Sequence, residues 1–508
     1  MTPGNAKRRK WELWIGVGLA LFAAFAFYFS TKATLHDLDY TNEIASALLH
    51  GDLGLREKPA EWLNEMIPYG NRYYSAFPLG AVISMVPVAL LQKASLVHDF
   101  PAHILAALIA GACVYFFFRL EKAFGPGYSS LKPKPITRRI LLALFPIFGT
   151  WTWCNLGMGG AWQIALGLAL LGGTAALYFT LVRPSPFIAG AFFALAFGNR
   201  TELLLTAPFY LYLFWRRSAL VEQAPRLPEP DNQSSSGAMY ESSASHSNSP
   251  SDAESGWRKL TRALRKNAPM LFDFLILPVA LALLTAAYNF ARFHSIFDFG
   301  YFHIPEVRDE PWYEHGLFSL HSIPWNVHTM LFEGFRDNPD FPFLSFPPFG
   351  CSIFLSSPFL FLLFRAGGKY RTISWVAIGI MTFVLWCHGN PGGWQFSYRY
   401  AMILLPWMFL LLTGNGSPKI TVTEISLFAV SVAINATATW LFLWTDQIQP
   451  VATVPLRTID SQQSSVPSVS SVVKKIRMPG MRVTISGNTG LDIPKGTLNS
   501  IRRQAGWK

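Results

Sequence analysis

The residues of this sequence that could accept protons or bind a ligand are carboxylates, arginines and aromatic side chains beside apolar stretches. Asp37, Asp39 and Glu43 come shortly after the apolar run 14–29. A carboxylate held at the edge of a hydrocarbon layer is partly desolvated, which raises its pKa and suits it to accept a proton. Ordinary solvated loop charges would give the same pattern, so position alone leaves the two interpretations even.

Two later segments carry groups of complementary chemistry. Residues 288–301 read YNFARFHSIFDFGY and include Arg292 and His294, and residues 392–406 read GGWQFSYRYAMILLP and include Arg399. Guanidinium groups bind phosphate through paired hydrogen bonds. Taken singly, an arginine beside aromatic residues is more often a membrane-boundary anchor, and a lone histidine is usually packed or solvated. Together with the carboxylates they predict a rim that suits a ligand with an anionic head and a lipid tail.

Composition places these residues in a polytopic membrane protein. Of the 508 residues, 51 % are hydrophobic and only 14 % are charged, which is too apolar for a soluble enzyme of this size. The four cysteines lie in or beside apolar segments without metal-ligand spacing, so we expect neither disulfides nor a zinc site. The net charge of +12 comes from basic residues that flank apolar runs, which indicates topology signals and no nucleic-acid partner.

The basic residues also predict the orientation of the chain. Lys7 to Lys10 precede the first apolar run, so we expect a cytoplasmic N-terminus and an uncleaved first span in the cell (inner or plasma) membrane. The run 187–215 is too long for one span and contains a polar turn at 198–202, which predicts two short helices. The pattern predicts about eleven crossings, with 79–91 as a re-entrant or interfacial helix. The other crossings are 102–118, 140–155, 162–181, 271–290, 349–364, 373–386, 401–412 and 425–444.

The fold class is therefore an all-α polytopic helical bundle with large extracytoplasmic loops. We expect a transmembrane domain at 1–445 and an extracytoplasmic tail at 446–508, in which residues 482–494 have strand-like alternation. Within the domain we expect a first outer loop at 30–100, a second outer loop at 291–348 and a disordered, serine-rich cytoplasmic loop at 218–266.

Short motifs along residues 11–445 resemble a known superfamily. They are Asp37-Leu38-Asp39-Tyr40 with the alanine-containing stretch 45–51, the segment YYSAFP at 73–78, and the two arginine-aromatic segments described above. This pattern resembles the GT-C superfamily of polyprenyl-phosphate-sugar-dependent glycosyltransferases. Within it, the chain is most similar to the bacterial relatives of the protein mannosyltransferases and aminoarabinose transferases.

The resemblance implies transfer of a sugar from a polyprenyl-phosphate donor to a glycan, lipid or protein acceptor outside the membrane. It assigns the role of base, or of ligand to a divalent cation (Mg²⁺ or Mn²⁺), to Asp37, with Asp39 as second choice. It implies that Arg399, with Arg292 or Arg72, stabilises the lipid phosphate. The remaining residues expected to bind substrate are Tyr74, Tyr398, Glu43 and His294.

One departure from the superfamily pattern puts the cation in doubt. Many members carry a further acidic motif in the next outer loop, but here that loop, 154–162, reads CNLGMGGAW and has no carboxylate. No metal ligand is therefore assigned. A second acid, if needed, would come from Glu43, Glu202 or Asp298.

Two other functions fit the same class of protein. A transporter or flippase of a lipid-linked or amphiphilic solute would be expected to show internal repeats and charges within its helices, and neither is evident. A structural membrane subunit would use the aromatic second outer loop, with Trp312, Tyr313, Trp325 and 341–349, to bind a partner.

Overall fold

The computed structural model describes residues 3–31, 37–60, 62–124, 135–222, 256–339, 341–347, 349–365, 367–393, 395–414 and 419–445. The predictions for the tail 446–508, with its strand-like segment, and for residues 223–255 of the serine-rich loop lie outside these residues. Everything that follows concerns the described part of the chain.

The described residues are mostly helical. The α-helices are α1 (Pro3–Ser30), α2 (Tyr40–Leu49), α3 (Leu79–Lys93), α4 (Ala102–Leu120), α5 (Ile136–Phe148), α6 (Thr152–Gly157), α7 (Ala161–Leu181), α8 (Pro186–Asn199), α9 (Ala207–Glu222), α10 (Gly256–Phe293), α11 (Ile323–Leu331), α12 (Ile353–Ser356), α13 (Arg371–Cys387), α14 (Leu405–Gly414) and α15 (Val422–Trp444). Antiparallel strands β1 (Ile67–Tyr69) and β2 (Arg72–Tyr74) form one hairpin, and β3 (Arg336–Asp337) and β4 (Leu344–Ser345) form another. Short 3-10 helices, among them Thr201–Thr206 and Arg399–Leu404, connect these elements.

Length and hydropathy mark several helices as membrane spans. Among the described residues, five helices are long and apolar enough to cross a bilayer: Lys10–Ser30, Ala102–Phe124, Ala161–Leu181, Arg265–Phe293 and Val422–Trp444. Four shorter apolar helices accompany them: Leu79–Lys93, Pro186–Asn199, Arg371–Cys387 and Arg399–Gly414. The all-α membrane class is thus supported. The count of eleven crossings, the GT-C architecture and the side of the N-terminus stay predictions.

Burial separates central from peripheral helices. The most apolar window of α7 is 78 % buried, whereas those of α1 and α10 are 17 % and 11 % buried. Helix α7 packs against α4 and α8, and α8 packs closely against α10 because Gly190 lies directly over the backbone of Phe274. The peripheral helices thus expose apolar side chains where lipid would lie.

The break predicted at 198–202 is confirmed. Helix α8 ends at Asn199, Arg200 adopts an extended backbone, and the chain continues as the 3-10 helix Thr201–Thr206 before α9. Glu202 accepts from the guanidinium of Arg200 at 2.6 Å. This ion pair stabilises a polar turn between two apolar helices.

Two predicted crossings are not continuous helices. In 349–364, the short α12 is followed by a 3-10 helix because Pro358 lacks an N–H and forces Ser357 out of helical conformation. In 140–155, the chain breaks after α5 at Gly149 and resumes as α6. These breaks bend the backbone inside runs whose hydropathy alone predicts a straight span.

A buried ion-pair cluster ties α5 to α15. Glu424, in the first turn of α15, accepts from Arg365 at 2.9 Å and from Arg138 of α5 at 3.3 Å. Its other oxygen accepts from the backbone N–H of Thr421, whose hydroxyl accepts from the N–H of Glu424, so the same carboxylate completes a capping box.

Candidate functional site

Two neighbouring cavities lie beside the loops that follow α1, α10 and α13. We call one of them, about 760 Å³, the acidic pocket; its polar lining includes Asp37, Asp39, Glu43, His50, Asp52 and Glu57. We call the other the central cavity, about 500 Å³, whose polar lining includes Glu65, Arg200, Glu202, His388, Arg399 and Tyr400. Segments far apart in sequence meet in the central cavity, so it is a product of tertiary packing.

Two arginines flank one aromatic ring in the central cavity. The guanidinium carbon of Arg200 lies 4.9 Å from the centroid of the Tyr400 ring, and that of Arg399 lies 5.2 Å from it. Positive charges over an aromatic face are attracted to its electron density, which holds the two guanidinium groups near each other despite their repulsion. The cavity therefore concentrates positive charge at Tyr400.

The two arginines differ in how far their charges are neutralised. Arg200 is paired with Glu202. Arg399 donates to the carbonyl of Gly393 at 3.2 Å, and its buried Nε has no hydrogen-bond partner among the described residues. Since a buried, unpaired guanidinium donor is costly, Arg399 is the group in this cavity most suited to bind an anion.

Glu65 supplies a carboxylate to the same cavity. Trp162 Nε1 donates to Glu65 Oε2 at 2.6 Å and fixes the orientation of the side chain. Burial raises the pKa of Glu65, while the Trp162 hydrogen bond and the positive charge of Arg399 oppose the rise. A carboxylate with a raised pKa is a better proton acceptor than a solvated one.

His388 adds a neutral hydrogen-bonding group. It caps the end of α13, and its Nδ1 lies 2.8 Å from the carbonyl oxygen of Asn390. With the hydrogen on Nδ1, the ring donates to this carbonyl and Nε2 is left as an acceptor; in the other tautomer, Nδ1 accepts from the backbone N–H of Asn390 at 3.4 Å. Burial lowers the pKa of His388 to about 4, helped by the positive charges of Arg200 and Arg399.

The acidic pocket is built around Asp39, which is only 8 % exposed. Asp39 directly precedes α2, and Asn42 Nδ2 donates to its Oδ2 at 3.4 Å. Burial raises the pKa of Asp39 to about 7, with further contributions from the negative charges of Glu43 and Asp37. Burial also raises the pKa of Glu43. Within the described ranges, no cluster of three or more histidine, cysteine, aspartate or glutamate side chains is arranged to hold a metal, so the cation stays a prediction.

The two cavities meet along one short stretch of the chain. Trp62 and Leu63 line the acidic pocket, whereas the next two residues, Asn64 and Glu65, line the central cavity. The hydroxyl of Tyr40, which follows Asp39, donates to Asn64 Oδ1 at 3.2 Å. Asp39 and Glu65 therefore line different cavities.

The residues predicted from the sequence therefore do not form one site. Arg399 lines the central cavity, and Asp37, Asp39 and Glu43 line the acidic pocket. Tyr398 lies in neither, because it is fully buried and its hydroxyl donates to Asn326 Oδ1 at 2.7 Å.

The other predicted residues lie outside both cavities. Arg292 is 2 % exposed, stacks on Tyr288 at 3.8 Å and donates to the carbonyl of Ser75 at 2.7 Å. Tyr74 packs edge-on against Phe293. Arg72 pairs with Asp52 at 2.6 Å, and His294 is exposed. Arg292 thus positions the YYSAFP segment, whose Phe77 and Pro78 line the central cavity.

Sequence reasoning missed four residues of the central cavity: Glu65, Arg200, His388 and Tyr400. Glu65 stands just before the hairpin β1–β2, Arg200 lies in the polar turn after α8, and His388 follows the apolar α13. A polar residue at the end of an apolar helix is the signal that could have found Arg200 and His388, whereas Glu65, in the loop before β1, carries no such signal. Glu202, considered as a second acid, does line this cavity.

Comparisons of the chain with protein-family models, with curated proteins and with solved structures gave no match. A functional assignment for this protein therefore depends on its residues and on the geometry of the two cavities. The resemblance to glycosyltransferases stays a likeness of short motifs.

Proposed function

We propose that this protein is a membrane glycosyltransferase that moves a sugar from a polyprenyl-phosphate donor to an acceptor hydroxyl at the extracytoplasmic face. The observation that carries the proposal is the central cavity, where Arg399, whose Nε has no hydrogen-bond partner in the described part of the chain, shares a chamber with the carboxylate of Glu65. A lipid-phosphate donor needs an anion-binding group beside an apolar bundle. Transfer also needs a proton acceptor within the same chamber.

In this proposal Glu65 acts as the base and Arg399 binds the phosphate. Glu65 takes the proton of the acceptor hydroxyl while the oxygen bonds to the anomeric carbon. The bond from that carbon to the phosphate oxygen breaks, and the electron pair leaves with the polyprenyl phosphate. Arg399 stabilises the negative charge on that phosphate, and Arg200 at the Tyr400 ring adds to the positive potential. His388 Nε2 accepts a hydrogen bond from a sugar hydroxyl.

The superfamily resemblance assigns the base to Asp37 or Asp39 instead. The raised pKa of Asp39, about 7, would suit a base near neutral pH. However, Asp37 and Asp39 line the acidic pocket, whereas Arg399 and Glu65 line the central cavity together. We therefore favour Glu65, and the two assignments give different results in the same experiment.

The test uses purified protein in lipid nanodiscs with a panel of radiolabelled polyprenyl-phosphate sugars. Donor binding and sugar release or transfer are measured for the wild type, Glu65→Gln, Asp37→Asn, Asp39→Asn and Arg399→Ala. Glu314→Gln and Arg308→Ala serve as matched controls, because both residues are exposed in the second outer loop and line neither cavity.

We expect Glu65→Gln to lose transfer while it keeps donor binding, and Arg399→Ala to lose both. Both controls should behave as the wild type. Loss of transfer in Asp37→Asn or Asp39→Asn with full activity in Glu65→Gln would place the reaction in the acidic pocket instead. If no donor binds and Arg399→Ala changes nothing, the transferase proposal fails. Movement of the donor across the bilayer without sugar release would favour the flippase.

A further inference from the structure

The hairpin formed by β3 and β4 has a fixed base and an apolar tip. At its base, Phe335 packs edge-on against Phe346 with ring centroids 5.0 Å apart, and Phe346 packs against Phe396 at 4.8 Å. Phe346 is 2 % exposed, so the hairpin is anchored in the core. Its orientation is therefore set by the fold.

The tip of this hairpin exposes two large aromatic side chains. Phe341 is 67 % exposed and Phe343 is 66 % exposed, and Pro342 lies between them. Their rings are 6.1 Å apart and meet at 84°, so they form one small apolar surface. Adjacent exposed phenylalanines on a projecting turn are typical of a surface that contacts something apolar.

A contact with α15 shows where the tip of the hairpin lies along that helix. The ring of Phe341 lies 6.1 Å from that of Trp440, which is 40 % exposed on a helix long and apolar enough to span. Trp440 stands one turn before the end of α15 at Trp444, which corresponds to about 6 Å along the helix axis. The tip therefore reaches back alongside the span.

Other contacts at this level indicate a membrane boundary. Trp444 Nε1 donates to the carbonyl of Ser30, so the ends of α15 and α1 lie at the same height. Trp153 Nε1 donates to the hydroxyl of the same serine. Tryptophan side chains concentrate at the boundary between headgroups and hydrocarbon, where the ring is apolar and its N–H can be satisfied.

We propose that Phe341 and Phe343 insert into the membrane leaflet beside α15, so that lipid covers the tip of the hairpin. The surface is continuous with the exposed side chains of α15, among them Val430 and Trp440, which face the bilayer if α15 spans it. A protein covering the tip would have to displace lipid from that helix. The insertion holds the second outer loop, which lines the central cavity through Tyr301 and Trp312, at a fixed height. It does not depend on the proposed transferase activity.

The test places a bimane fluorophore at the tip and measures quenching by lipid. Phe343→Cys is labelled in a Cys387→Ala background, because the other three cysteines are buried. The protein is reconstituted in nanodiscs with or without lipids brominated on their acyl chains. Phe341→Cys is a second tip variant, and Glu314→Cys, at an exposed charged position of the same loop, is the control. Each variant must elute as the wild type in size-exclusion chromatography.

Brominated lipid should reduce the emission of labels at both tip positions and leave the label at position 314 unchanged. Equal emission with and without bromine at the tip would overturn the insertion. A blue-shifted tip emission that bromine does not quench would also overturn it, since protein rather than lipid would then cover the surface. Equal quenching at positions 314 and 343 would contradict a site confined to the hairpin.

Discussion

Glu424 gives the sharpest test of how the bundle is held together. We predict that Glu424→Gln strongly lowers the free energy of unfolding, although the substitution keeps the shape of the side chain. Glutamine at this position can still accept from the Thr421 N–H, so the helix cap survives. The negative charge between Arg138 and Arg365 is removed, and because the amide oxygen then serves the cap, its NH2 group faces the two arginines and cannot accept their hydrogen bonds.

The expected magnitude follows from the burial of the two arginines. The side chain of Arg365 is 30 % exposed and can be rehydrated, whereas that of Arg138 is 1 % exposed. Two of its guanidinium nitrogens, Nε and one Nη, have no hydrogen-bond partner among the described residues. Among the described residues Glu424 is the carboxylate that pairs with Arg138, and loss of the partner of a buried charge costs about 3–5 kcal/mol. Loss of the cap alone, in Thr421→Ala, costs about 1 kcal/mol.

The assay is reversible unfolding in mixed micelles, with the free energy of unfolding compared among the variants. The double variant Arg138→Met with Glu424→Gln should recover most of the loss, because no buried charge is then left unpaired. Glu314→Gln, at an exposed position, controls for removal of a surface charge. If Glu424→Gln costs no more than Thr421→Ala, or if the double variant is worse than the single one, the reasoning is refuted.

Three further predictions concern the cavities and the helix packing. Glu65→Gln should lower the transfer rate by about 10²–10⁴-fold, the usual contribution of general base catalysis, and a reduction in donor binding instead would contradict this role. Because the pKa of Asp39 is raised from 3.8 to about 7, the folded protein retains a proton that the unfolded chain releases, so wild-type stability falls as pH rises between these values. In thermal unfolding, Asp39→Asn should therefore be more stable than the wild type above pH 7, and the difference should vanish toward about pH 4. A difference that does not change with pH would show that the pKa of Asp39 does not cause it. Gly190→Ala should destabilise the protein by about 1–3 kcal/mol in micelle unfolding, because its Cβ would overlap the backbone of Phe274. Gly379→Ala, inside α13 with open space around its Cβ, should instead stabilise the protein by up to about 1 kcal/mol through helix propensity.

The sequence predicted the long helices well because their signal is local. The run 162–181 corresponds to α7 (Ala161–Leu181), and 425–444 corresponds to α15 (Val422–Trp444). A polar turn at 198–202 was enough to predict the break after α8. Hydropathy predicts a continuous helix where a proline breaks one, as at Pro358, because a proline stops a helix without making the segment less apolar.

The candidate site was only partly predictable for a different reason. Arg399 was found because an arginine among aromatic residues at the end of an apolar run stands out. The same signal selected Arg292, which the fold uses to hold the carbonyl of Ser75. Residue type and spacing do not distinguish an arginine that faces a cavity from one that packs inside.

The sequence by itself therefore determined the membrane class, most helix positions and the chemical types available beside the bundle, because hydropathy and helix propensity act over a few residues. Only the tertiary structure decided which charges share a chamber. Glu65, Arg200 and Arg399 are joined by packing between segments far apart in the chain. Asp39 and Glu65 line different cavities, although Tyr40 beside Asp39 contacts Asn64 beside Glu65. Such contacts depend on three-dimensional packing, which local sequence patterns do not encode.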